Sequence, residues 1–148
     1  MIRALFSIVG AAAACACVAG TAHAELTDGL WDAIVAVESG GDAHAYNPRD
    51  GATGIVQIRA VCVEDVNRIA RRRGMDVAFS LADRRNPALA RRMWDLYLGF
   101  YGEIYLRDTG RAPTPEVYAR IWNGGPAGWK KTSTRGYWRR VREAMDDA

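Results

Sequence analysis

From residue 28 onward the chain alternates apolar helical stripes with short breaks rich in turn residues. Leu30, Ile34 and Val37 fall on one side of a 3.6-residue helix, and Trp31, Val35 and Glu38 follow the adjoining line, which predicts a helix over about 28–38 stopping at Gly40-Gly41. Residues 39–58 lack that period. Their Asn47-Pro48 and Asp50-Gly51 pairs are turn signals, leaving room for at most a small β-hairpin. Val63, Val66, Ile69 and Ala70 predict a second helix over about 60–73, stopped by Gly74. Asn86-Pro87 reads as an N-cap and a first-turn proline opening a long helix through about Tyr105, with Leu89, Met93, Leu96, Tyr97 and Phe100 on its buried side. Gly99 and Gly102 weaken that helix and predict a bend or close packing. Thr114-Pro115 starts a shorter helix to Asn123, and a last helix runs from about Thr134 to Met145 with Trp138, Val141 and Met145 inward. The predicted fold is mainly α.

Residues 1–24 break this pattern. Met1-Ile2-Arg3 gives a positive start, Ala4 to Ala19 is apolar, and Ala22-His23-Ala24 has the small-residue form of a cleavage site, so the segment reads as a secretory signal. It is alanine-rich and short for a bilayer helix of roughly 20 residues, which favours cleavage over anchoring. Residues 25–148 then form one compact domain, expected to be secreted or periplasmic, free of the membrane and monomeric. The formal net charge of +3, which falls to +2 once Arg3 leaves with the signal, suits an anionic polymer without requiring one. Cys15 and Cys17 would leave with the signal, so Cys62 would have no partner for a disulfide; a buried thiol is the expected role. His44 would be the one remaining histidine, so histidine-based metal sites and Ser-His triads lack parts; no metal and no cofactor are expected.

Glu38 is the candidate catalytic acid. A carboxylate at the edge of a buried face loses hydration, which raises its pKa and keeps a proton available near neutrality. On position alone a solvated glutamate near a helix end is an equally open reading, although an acid near a helix C-terminus is electrostatically disfavoured.

A resemblance weighs on that choice. Glu38-Ser39-Gly40-Gly41, Ala45-Tyr46-Asn47 and Gly51-Ala52-Thr53-Gly54-Ile55-Val56-Gln57-Ile58 resemble the active-site segment of soluble lytic transglycosylases and goose-type lysozymes. The run from Tyr118 through Asn123-Gly124-Gly125-Pro126-Ala127-Gly128 to Thr134, Tyr137, Trp138 and Val141 is similar to invertebrate-type lysozymes. These families share the lysozyme-like fold and cut the glycan backbone of peptidoglycan, so the resemblance implies Glu38 as catalytic acid and peptidoglycan strands as partner.

Glycoside hydrolysis normally uses two carboxyl groups, and only the first is clear here. Asn47 stands where the invertebrate-type pattern has an aspartate, and an amide is neither a general base nor a nucleophile. Lytic transglycosylases have a polar residue at this place and use one glutamate twice, which makes their reaction the favoured expectation. Asp50 is the substitute second carboxylate, with an Asp-Gly turn residue as the simpler reading. Gln57 and Asn123 carry amides able to bind sugar hydroxyls and N-acetyl groups. Gly54, Gly124 and Gly125 either let backbone approach a ligand or make turns and caps. Trp122 replaces a tyrosine of the lytic transglycosylase pattern, losing a phenol beside the acid while offering a stacking surface or an apolar wall. Trp122 and Trp129 flank the glycine turn and are the tryptophans expected to reach sugar.

Two other classes compete. Arg71-Arg72-Arg73, Arg84-Arg85, Arg91-Arg92 and Arg139-Arg140 invite a nucleic-acid reading, but the export signal, small net charge and interspersed acids oppose it; no nucleic-acid partner is expected. A catalytically silent peptidoglycan-binding protein would keep the groove without needing Glu38.

Overall fold

Burial of Leu30, Ala33 and Ile34 draws the first helix, α1 (residues 28–39), onto the rest of the chain. The computed structural model describes residues 28–147, so the signal read from residues 1–24 lies outside the described residues. Helix α1 ends ahead of Gly40, whose N–H returns to the Val35 and Ala36 carbonyls. A two-residue strand, β1 (Tyr46–Asn47), then pairs antiparallel with β2 (Ala52–Thr53), Tyr46 opposite Thr53 and Asn47 opposite Ala52. This hairpin is the whole of the sheet among the described residues.

Helix α2 (Ala60–Arg72) buries Val63, Val66, Ile69 and Ala70, the four positions its period marks. A short 3-10 turn, Ala82–Arg85, leads into α3 (Pro87–Thr109). The Asn86 side chain accepts from the Ala88 and Leu89 N–H groups, a cap worth about 1 kcal/mol. Helix α3 runs four residues beyond the expected end, to Thr109, with Gly110 as its left-handed cap. Its fully buried residues are Ala90, Met93, Trp94, Tyr97, Leu98, Tyr101 and Gly102, while the expected Leu89, Leu96 and Phe100 are partly buried. The difference has a physical cause: α1, α2 and α4 (Pro115–Gly124) all pack on α3, so it is covered on several sides and no single stripe describes it. Gly102 gives the close packing, because a Cβ there would stand 2.8 Å from the Tyr118 ring; Gly99 has open space and the helix continues through it.

Thr114 caps α4 by accepting from the Val117 N–H. Two 3-10 turns, Gly128–Lys130 and Thr132–Thr134, connect it to α5 (Arg135–Asp146). In α5 the fully buried pair is Tyr137 and Val141, with Trp138 and Met145 at the margin, so the inward face is turned by one residue from the expected one. The described chain forms one apolar core from α1 to α5, mainly helical with a single small hairpin.

Candidate active site

The site begins where α1 stops. Ser39 Oγ donates to the Ile55 carbonyl at 2.7 Å and accepts from the Gly41 N–H, fastening the helix end to the loop after the hairpin. Glu38, one residue earlier, is thereby held against that loop. Burial is the largest influence on its carboxyl and pushes the pKa up from the ordinary value, and the Asp50 charge adds to this. Three groups oppose the rise: a hydrogen bond from Tyr137, then the Arg140 and Arg59 charges. The Tyr137 hydroxyl, itself buried, donates to Glu38 Oε1 at 2.8 Å. The result is a partly buried acid with one oxygen fixed by a phenol from the last helix.

The loop is built with equal constraint. A Cβ on Gly54 would lie 1.8 Å from the Arg84 carbonyl oxygen, so this glycine admits a backbone, and the backbone is the protein's own. Arg84 Nη1 in turn donates to the Gly51 and Ile58 carbonyls, both at 3.0 Å, clasping the hairpin from the 3-10 turn. Gln57 takes a positive φ of 53°, a conformation that costs a non-glycine residue about 1–3 kcal/mol and collects at functional sites. Its side-chain amide nitrogen donates to the Gly54 carbonyl at 3.0 Å and Ala45 at 3.3 Å. These bonds leave its carbonyl oxygen for other partners.

Glu38 opens on a cleft of about 770 Å³ that also receives Asn47, Asp50, Gln57, Trp122 and Asn123. Asn47 and Asp50 each use Oδ1 in the hairpin, accepting from the Arg49 and Ala52 N–H groups respectively. Trp122 meets Tyr97 edge to face with 5.8 Å between ring centroids, and the two make an aromatic wall. The wall continues along α2, whose Arg59, Val61, Cys62, Glu64, Asp65, Arg68 and Arg71 also line the cleft. Burial pushes the Cys62 thiol up to about 12, so it stays protonated and is no nucleophile.

No family model matches the chain. Over 42 residues it is 50% identical to Lysozyme 1 of Crassostrea virginica, a stretch that is 28% of this chain and 23% of that protein. A chain in the crystal structure of Aeromonas hydrophila PliI in complex with Meretrix lusoria lysozyme superimposes with a TM-score of 0.62 and 25% identity, covering 78% of this chain and 87% of its own length. The chain has a lysozyme-like fold and shares a short stretch of sequence with a lysozyme.

Within this lysozyme-like domain Gly54 and Gly124, for which the sequence leaves ligand approach and turn-making both open, and Trp129, expected to reach sugar, pack against the protein itself. Gly54 faces the Arg84 carbonyl, as described. Gly124 packs against Thr134, where a Cβ would come within 2.6 Å of the methyl group, and Gly125 and Pro126 reach the cleft instead. Trp129 meets Tyr105 edge to face with 5.0 Å between ring centroids, away from the cleft lining. The preceding Gly128 is pressed against α4, where a Cβ would stand 1.9 Å from the Arg120 carbonyl. Sequence reasoning missed Tyr137 and Tyr97. The phenol missing at Trp122 comes from Tyr137, and its signal was an aromatic hydroxyl four residues before the buried Val141. Arg71 reads only as part of a charge run, Arg59 and Arg68 draw no reading, and none gives a sign of sharing a groove with Glu38.

Proposed function

We propose that the protein cleaves the β-1,4 bond between N-acetylmuramic acid and N-acetylglucosamine in peptidoglycan, with Glu38 as the acid. The single observation carrying this reading is a partly buried carboxyl, held by a phenol and lining a cleft that also offers amides and an aromatic wall, with burial pushing its pKa up. Glu38 gives its proton to the bridging oxygen, the C1–O bond breaks, and positive charge develops on the muramic ring. The carboxylate left behind then takes the proton of that sugar's 6-hydroxyl as O6 bonds to C1, closing a 1,6-anhydro ring. This lytic route is favoured by Asn47, an amide where a second carboxylate would stand, and by the high effective concentration of an intramolecular hydroxyl. Asn47, Gln57, Trp122 and Asn123 would bind the glycan.

Asp50 supports a second reading. It lines the same cleft, and one of its oxygens is outside the turn hydrogen bond, so it could activate water and make the protein a hydrolytic lysozyme. Residues 1–24 serve as export signal in either case, delivering a soluble domain of residues 25–148 to the periplasm or medium. Among the described residues no helix is long and apolar enough to cross a membrane.

Digestion of sacculi with mass analysis of the released fragments tests both readings. Products one water lighter than reducing-end fragments are expected, and Glu38→Gln should lower turnover by about 10²–10⁴-fold. Reducing ends that disappear in Asp50→Asn would give the hydrolytic route. Sacculus binding with no fragment released by the parent would leave a silent wall-binding protein.

A further inference from the structure

The cleft is longer than the catalytic cup. Beyond Glu38 it follows one face of α2, where Arg59, Val61, Glu64, Arg68 and Arg71 line it. From Arg59 to Arg71 that wall extends about 18 Å at the ~1.5 Å rise of a helix. A neutral glycan has no use for fixed charge over such a length. Arg68 is engaged: it ion-pairs with Asp65, whose other oxygen accepts from the Tyr101 hydroxyl, so this pair is part of the scaffold. Among the described residues Arg59, Glu64 and Arg71 make no ion pair, although other arginines do, as in Arg73 with Glu103 and Arg120 with Glu116. The wall therefore presents two cations and one anion to the groove, with the exposed Val61 between them. That is the pattern a short peptide carrying several carboxylates, an amine and small alkyl side chains would match.

We infer that the α2 wall binds the acidic stem peptide attached to muramic acid, so that the substrate is peptide-bearing glycan in preference to bare glycan. This rests on the glycan-cleaving reading of the same cleft. Arg71, furthest from Glu38 along the helix, takes a peptide carboxylate, and Glu64 takes the amine. Arg72, its exposed neighbour outside the cleft lining, takes no part.

The test compares intact sacculi with glycan strands stripped of peptide by an amidase. For cleavage, the ratio of kcat/KM on the two substrates is measured for the parent, Arg71→Ala, Arg71→Lys and Arg72→Ala. For binding, Glu38→Gln protein is sedimented with each polymer. The expected parent ratio favours intact sacculi at least tenfold, collapses toward one in Arg71→Ala, is partly restored in Arg71→Lys and is retained in Arg72→Ala. Equal use of both substrates by the parent, or equal effects of Arg71→Ala and Arg72→Ala, would overturn the inference and leave glycan cleavage standing. Preferential sedimentation with intact sacculi, without cleavage of either polymer, would support the inference while removing the catalytic reading.

Discussion

Tyr137 and Glu38 form the hydrogen-bonded pair on which the proposed acid chemistry turns. The hydrogen bond stabilises the charged carboxylate, so it works against the burial that raises the pKa. Tyr137→Phe removes that opposition, and the Glu38 pKa rises further. Because the acid must carry its proton, activity is lost as pH climbs through this pKa; the alkaline limb of the pH–rate profile on sacculi therefore moves to higher pH in the variant. A limb that stays in place would show that the phenol fixes orientation only. The same carboxyl has a stability consequence. Its folded pKa lies above the unfolded one, so its contribution is fully present below the unfolded pKa and is lost as pH rises through the folded pKa. Glu38→Gln should accordingly raise the melting temperature relative to the parent at neutral pH and lose that advantage near pH 4, as scanning calorimetry at the two pH values would reveal.

Helices differ in how openly the sequence announces them, and glycine shows why. At Gly128 the neighbour is a carbonyl that cannot move aside, so Gly128→Ala should destabilise by about 1–3 kcal/mol through overpacking. Gly99 sits inside α3 with nothing within 4 Å, and Gly99→Ala should stabilise by about 0.5–1 kcal/mol through helix propensity. Urea titration of both variants checks the opposite signs. From sequence alone the two glycines are indistinguishable, since the deciding atom at residue 128 comes from Arg120 on another element. The same distinction governs the helices. The period of α2 named its buried residues because one face meets the core and the other meets solvent and cleft. Helix α3 lies under three neighbours and blurred the signal, and α5 was misread by one residue because Trp138 looked more apolar than Tyr137. Caps at Asn86 and Thr114 were legible, being local. The cleft residues from the hairpin and α4 were legible only through motif resemblance, and the α2 wall was not legible at all, because docking of helices brings it beside Glu38.

At the scale of the molecule, hydrogen bonding stands where covalent staples could have been. Cys62 is the one cysteine among the described residues and is free. The connection from α4 to α5 is secured instead by Arg120, which donates to Thr134 Oγ1, the Lys131 carbonyl and Glu116, while the buried Thr134 hydroxyl reaches the Gly128 and Lys131 carbonyls. The melting temperature should thus be the same with and without a thiol reductant, whereas Arg120→Ala should lower it, leaving a buried hydroxyl short of a donor at a cost of about 1–3 kcal/mol. The contact between Tyr137 and Glu38 joins residues 99 positions apart. A polypeptide emerging N-terminus first from a ribosome exposes Glu38 long before Tyr137 arrives. The tuned carboxyl is thus withheld until residue 137 has emerged and α5 has docked, so a nascent chain short of that point cannot yet have it.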